Sequence, residues 1–110
     1  MKLKFRAWDK EFNRMLETLT MKELCMDASY LTEEEYSSLI ITQSTGLHDK
    51  NGVEIFIGDI VKDWRYIESE IVFHDGTVSS KRGILVFPFN SEIAKSVKVI
   101  SNIFKRGNYE

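Results

Sequence analysis

One cysteine, Cys25, stands in a chain of 110 residues, so no internal disulfide forms and no zinc ribbon can be assembled from thiolates. That usage suits a reducing cytoplasm. No apolar run approaches the ~20 residues needed to span a bilayer as a helix. Met1-Lys2-Leu3-Lys4 leads into charge rather than into a secretory apolar core. Neither sign of charge dominates: fifteen basic against seventeen acidic residues leave −2. No global field therefore draws the protein onto nucleic acid. Internal repeats and low-complexity segments are missing as well.

The usual vehicles of chemistry are also wanting. There is no Gly-rich phosphate loop, no nucleophile elbow, no His-Glu-x-x-His and no Cys-x-x-Cys. Asp49-x-Asn51-Gly52 has the beginning of a calcium loop, but its glycine comes two positions early and the closing bidentate Glu is missing. It reads as a turn. His48 and His74 each precede an Asp, which is not the spacing of a closed zinc site. Cys25 lies on the apolar stripe Met21-Leu24-Cys25-Ala28, where packing is the ordinary role and no third group orients a base. Glu68 and Glu70 share one face of an extended segment, as solvated alternating residues do. The expectation is a protein with no catalytic residues, no metal and no cofactor.

What the chain does hold is apolar and aromatic mass. It is 43% hydrophobic and carries two Trp, four Tyr and seven Phe, enough to fill the core of one small domain. Charge is uneven along it. Residues 31–60 hold one basic and six acidic groups, headed by Glu33-Glu34-Glu35, which reads as a solvated face.

Period-two alternation of Leu3, Phe5 and Ala7 with Lys2, Lys4 and Arg6 predicts a half-buried strand. Turn residues over Asp9–Asn13 then predict a hairpin across residues 2–19. Residues 20–36 read two ways. Met21, Leu24, Cys25, Ala28 and Leu31 fall at helical spacing, with Thr20/Glu23 and Thr32/Glu35 as capping-box pairs. An exposed insertion between strands fits as well.

From residue 38 onward the pattern is β. Leu39-Ile40-Ile41-Thr42 is a β-branched run expected to end at Ser44-Thr45-Gly46. Asn51-Gly52 favours the left-handed dihedrals of a tight reversal, and Asp49 can bond the amides of its own turn. Val53, Ile55 and Ile57 alternate until Gly58 breaks the run, and Asp59 can cap the turn that launches Ile60-Val61. Glu70–Phe73 and Thr77–Ser79 flank His74-Asp75-Gly76, a hairpin with Asp-Gly at its tip. Ile84–Phe87 meets the single proline, Pro88, which ends a strand or marks an edge. Asn90–Ala94 suits one helical turn, Val97 and Val99 a last strand, and Arg106–Glu110 frayed chain. Short strands at roughly ten-residue spacing predict a small barrel or sandwich. The expected organisation is a hairpin appendage with a variable insertion over 1–38 and a β-barrel domain over 39–110, or the two folding as one unit.

Phe5-Arg6-Ala7-Trp8-Asp9-Lys10 with Arg14-Met15, the long run from Thr42 to Val61, and Val99–Phe104 together resemble the YopX family of bacteriophage and prophage proteins. The resemblance spans nearly the whole chain. It implies a small, largely β protein whose C-terminal barrel is of the Src-homology-3 type, and it carries over no catalytic or binding residue. Two departures stand out: Ile57 occupies the position before Gly58 where the family usually has Glu, and residues 17–38 match nothing in the pattern. Gly46, Asp49, Asn51, Gly52, Gly58 and Asp59, which fill the central motif, are all types that tight turns demand.

Trp64-Arg65-Tyr66 follows the Ile60-Val61 strand, where a small barrel places a ligand-meeting loop. Flanked by Lys62, with Trp8, Phe87 and Phe89 as further aromatics, it can stack on bases or anchor a protein interface. The plainer account is that Trp64 and Tyr66 cap the end of the core. The functional expectation is a non-catalytic interaction module with a host or phage protein as partner, in the cytoplasm of an infected or lysogenic bacterium. The alternative is a nucleic-acid-binding or regulatory protein, for which Lys62, Arg65, Lys81, Arg82, Lys105 and Arg106 would have to cluster. No membrane partner is expected, and the apolar residues of 17–38 leave room for a homo-oligomer.

Overall fold

The computed structural model describes residues 4–16, 19–20 and 39–106. Among these the architecture is mainly β, with one sheet curled as a half-barrel and a second sheet beside one short helix, as expected for a small β-barrel protein. Contacts divide the chain into two units, Met1–Ser44 and Thr45–Glu110. The helical or inserted segment read over 20–36 lies, beyond Thr20, outside the described residues, as do Cys25 and residues 107–110 of the end expected to fray. No helix among the described residues is long and apolar enough to cross a membrane.

In the first unit the expected hairpin forms. Strand β1 (Lys4–Asp9) pairs antiparallel with β2 (Arg14–Met15), setting Trp8 opposite Met15. The Asp9 carboxylate accepts the amides of Glu11 at 3.0 Å and Phe12 at 3.3 Å, closing the turn. The chain then returns to β1 a second time through β3 (Leu19–Thr20). On its other side β1 takes the first half of β4 (Leu39–His48), with Ala7 opposite Ile41. Strict alternation fails at the end of β1, because Ala7, Trp8 and Asp9 are all buried. Asp9 points a charged group inward because its carboxylate serves the turn rather than the solvent.

The break expected at Ser44-Thr45-Gly46 does not occur, and β4 continues through it. Gly46 does take a positive φ of 77°, yet the strand absorbs it. Thr45 supplies the reason: its hydroxyl donates to the Ile55 carbonyl at 2.7 Å and accepts the Leu47 amide at 3.1 Å. The side chain thus bridges an irregularity that would otherwise leave backbone groups unpaired. Beyond it, β4 turns through Asp49–Gly52 into β5 (Glu54–Phe56). Only Gly52 is left-handed there, at φ 80°; Asn51 is not, contrary to the expectation that both would be. The Asp49 carboxylate instead fixes the turn by accepting the amides of Asn51 at 2.8 Å and Val53 at 2.9 Å. Its second oxygen accepts the Val99 amide, fifty residues on, at 2.9 Å.

The second unit's larger sheet has the order β10-β6-β7-β8-β9, all neighbours antiparallel. Its strands are β6 (Asp59–Lys62), β7 (Glu68–His74), β8 (Thr77–Arg82), β9 (Leu85–Pro88) and β10 (Lys98–Asn102). Asp75 at φ 49° and Gly76 at φ 80° make the left-handed hairpin tip expected between β7 and β8. Pro88 both ends β9 and leaves it on the sheet edge, where a missing N–H costs nothing. One helical turn, α1 (Ser91–Ala94), begins where the Asn90 side chain accepts the Ile93 amide at 3.0 Å. Asp59, buried, caps the turn before β6 by accepting the Phe56 amide at 2.8 Å. Ile55, Val61, Ile71, Phe89, Ala94 and Val97 form the core. Each large side chain among them contributes roughly 1.5–3 kcal/mol by leaving water.

Candidate functional site

The loop between β6 and β7 is built around one carboxylate. Asp63 is an Asx-turn residue at its head: Oδ1 accepts the amides of Arg65 at 2.8 Å and Ile67 at 3.1 Å. Oδ2 accepts from Arg65 Nη2 at 2.7 Å and Nε at 3.2 Å. The Asp63 amide donates to the Ile67 carbonyl at 3.1 Å, and the Tyr66 amide donates to the Asp63 carbonyl at 3.0 Å. Desolvation acts to raise the Asp63 pKa, but the Arg65 guanidinium and these amide donors outweigh it and hold the carboxyl below its ordinary value. The closed loop keeps Tyr66 at a φ of 64°, a strained value for a bulky residue.

This scaffold lifts its aromatics into solvent. Trp64 and Tyr66 are each 79% exposed, so neither caps the core. The Arg65 guanidinium lies 5.7 Å from the Trp64 ring centre and the Lys62 ammonium 5.4 Å from that of Tyr66, both within cation–π range. The four residues singled out in the sequence thus form one surface feature. Phe87, 38% exposed, lies beside it on β9, whereas Phe89 belongs to the core and Trp8 is buried in the first unit. Those last two do not join an exposed aromatic platform.

A groove of about 280 Å³ opens beside the loop, between Trp64, Arg82, Phe87 and Ile93. Sequence reading missed it as a site, because β6–β7, β8, β9 and α1 each contribute one or two of its walls. The sequence offers Arg82 as a cation beside the aromatic loop and as one of six needed for a nucleic-acid surface. Two of those cations are held in ion pairs, Arg65 by Asp63 and Arg106 by Glu68 at 2.7 Å, while Lys81 stands opposite Glu70 in the β7–β8 register. Glu68, on the solvated face of its strand, is an ion-pair partner of Arg106. His48 and His74 are exposed, and no cluster of metal-binding side chains occurs among the described residues.

Gly58 takes a φ of 93°, with its missing Cβ facing the Phe104 ring at 3.1 Å. The model of the family described as YopX protein matches residues 4–108. The chain belongs to the YopX family. The match runs over nearly the whole length of the chain. Among solved structures, the chain is similar to the crystal structure of protein EF1440 from Enterococcus faecalis, with 26% identity and a TM-score of 0.64. That match covers 96% of this chain and 95% of the other. Comparison with curated proteins finds no match.

Proposed function

We propose that this YopX-family protein is a non-catalytic interaction module that binds another protein through the Trp64–Tyr66 loop and the groove beside it. In keeping with the phage and prophage character implied by the family resemblance, it acts in the cytoplasm of the host bacterium. One observation carries the reading: two large aromatics stand 79% exposed on a loop tied down by Asp63. An ordered, solvated Trp beside Arg is the composition of interface anchors, and a fixed loop loses little freedom when it binds. The occupied cations favour protein over nucleic acid, since neutralised Arg65 and Arg106 have little left for phosphates.

Affinity capture from host lysate, with tagged wild type and Trp64→Ala side by side and each with and without nuclease, tests the proposal. A protein retained by wild type after nuclease and lost with Trp64→Ala supports it. A partner that vanishes with nuclease supports the nucleic-acid reading instead.

A further inference from the structure

Arg82 is unlike the other arginines of the second unit. Its Nε is closed off from solvent and has no hydrogen-bond partner, and no carboxylate of the described residues lies within ion-pair distance. Its guanidinium is set in place by stacking, 4.6 Å from the centre of the Phe87 ring. Of the charged residues that line the groove, Asp63 and Arg65 satisfy each other, which leaves the charge of Arg82 uncompensated. A pre-oriented guanidinium in a partly apolar cleft is complementary to a carboxylate, which it can grip with two parallel bonds.

The surroundings narrow the occupant further. Trp64, Phe87 and Ile93 give the groove apolar walls, and its volume of about 280 Å³ falls short of sites that enclose whole cofactors. A side chain or two of a peptide fits such a space. Nucleic acid would need several cations along a track, and Arg82 is the one cation lining the groove that no carboxylate of the described residues holds.

We infer that the groove takes a peptide segment carrying an Asp or Glu beside an apolar residue. The carboxylate pairs with Arg82, and the apolar side chain packs against Trp64, Phe87 and Ile93. This rests on the interaction-module reading and names the chemistry that its partner must present.

Two pools of capped pentapeptides test it, randomised over Ala, Leu, Phe, Tyr and Ser around a central Glu in one pool and a central Gln in the other. Each is titrated into the full-length ¹⁵N-labelled protein, alongside a twelve-nucleotide oligothymidylate. The Glu pool should shift the Trp64 indole and the amides near Arg82, binding roughly tenfold more tightly than the Gln pool. Arg82→Gln should erase that preference, and Lys105→Gln, away from the groove, should preserve it. Because the pools are compared on wild type, the result stands even where Arg82→Gln fails to fold. Equal binding of both pools, binding of neither, or shifts at the groove with the oligonucleotide alone each overturn the inference. In lysate capture, a partner lost with Trp64→Ala but kept by Arg82→Gln sinks this inference and leaves the module intact; one kept by both sinks the module.

Discussion

Asp63 and Arg65 are joined by two side-chain bonds only two residues apart, Oδ2 accepting from Nη2 at 2.7 Å and from Nε at 3.2 Å. The pairing spends the Arg65 charge on the loop itself, while the other oxygen of Asp63 holds the backbone. The carboxylate therefore sets the pose of Trp64 and Tyr66 without touching either ring.

Removing it should loosen the loop and spare the core. In Asp63→Ala the amides of Arg65 and Ile67 should exchange with solvent about tenfold faster or more, while the melting temperature moves little. Asp63→Asn retains an oxygen for those amides and should restore much of the protection. Since the folded carboxyl titrates below its ordinary value of 3.8, loop order should persist on acidification to about that pH and fail below it. Amide exchange followed against pH checks both points; unchanged protection in Asp63→Ala would show that the backbone holds the loop alone.

Asp49 governs global stability in the same acid range. Burial acts to raise its pKa, yet the amides of Val99, Val53 and Asn51, with the Lys50 charge, outweigh burial and lower it. A carboxyl depressed in the folded state contributes stability that is complete above its unfolded value near 3.8 and lost as pH falls through the folded one. Denaturant melts of the wild type should therefore weaken below about pH 4. Asp49→Asn presents an amide where the Val99 N–H needs an acceptor, and should cost about 1–3 kcal/mol at neutral pH. Its melts should also depend less on pH than those of the wild type.

Two left-handed glycines separate conformational strain from packing. A Cβ at Gly52, φ 80°, meets nothing within 4 Å, so Gly52→Ala should cost about 1–2 kcal/mol from the backbone alone. At Gly58, φ 93°, the same atom would sit 3.1 Å from the Phe104 ring. Gly58→Ala should cost more than Gly52→Ala, and the excess should shrink in a Phe104→Leu background. Equal losses at both positions would mean that the ring yields freely.

Local rules made the hairpins legible, since Asp75-Gly76 and Asp49–Gly52 carry their turn chemistry in the side chains that form them. The continuation of β4 through Gly46 was not legible, because it depends on the Thr45 hydroxyl reaching Ile55, ten residues away. The successive burial of Ala7, Trp8 and Asp9 likewise overrides a period-two pattern that the residue types suggest. At the site, Trp64, Arg65 and Tyr66 could be singled out as neighbours in sequence. The groove could not: Arg82 and Ile93 reach it from separate elements, and the lack of a carboxylate beside Arg82 among the described residues is a property of the tertiary structure alone.

The two tryptophans give the sharpest contrast in the molecule. Trp8 is 2% exposed and Trp64 is 79% exposed. Trp8→Ala should leave a cavity and cost about 3–5 kcal/mol, a large share of what so small a protein has to lose. Trp64→Ala removes a ring that is mostly solvated already, so the melting temperature should barely change, while binding of a protein partner weakens by about 1–3 kcal/mol. Fluorescence separates the two without any partner. In the wild type acrylamide should quench a large, red-shifted component, and Trp64→Ala should leave only a blue-shifted, protected one from Trp8. A marked loss of stability in Trp64→Ala would mean that the indole supports the core, and the loop could no longer be read as a binding platform.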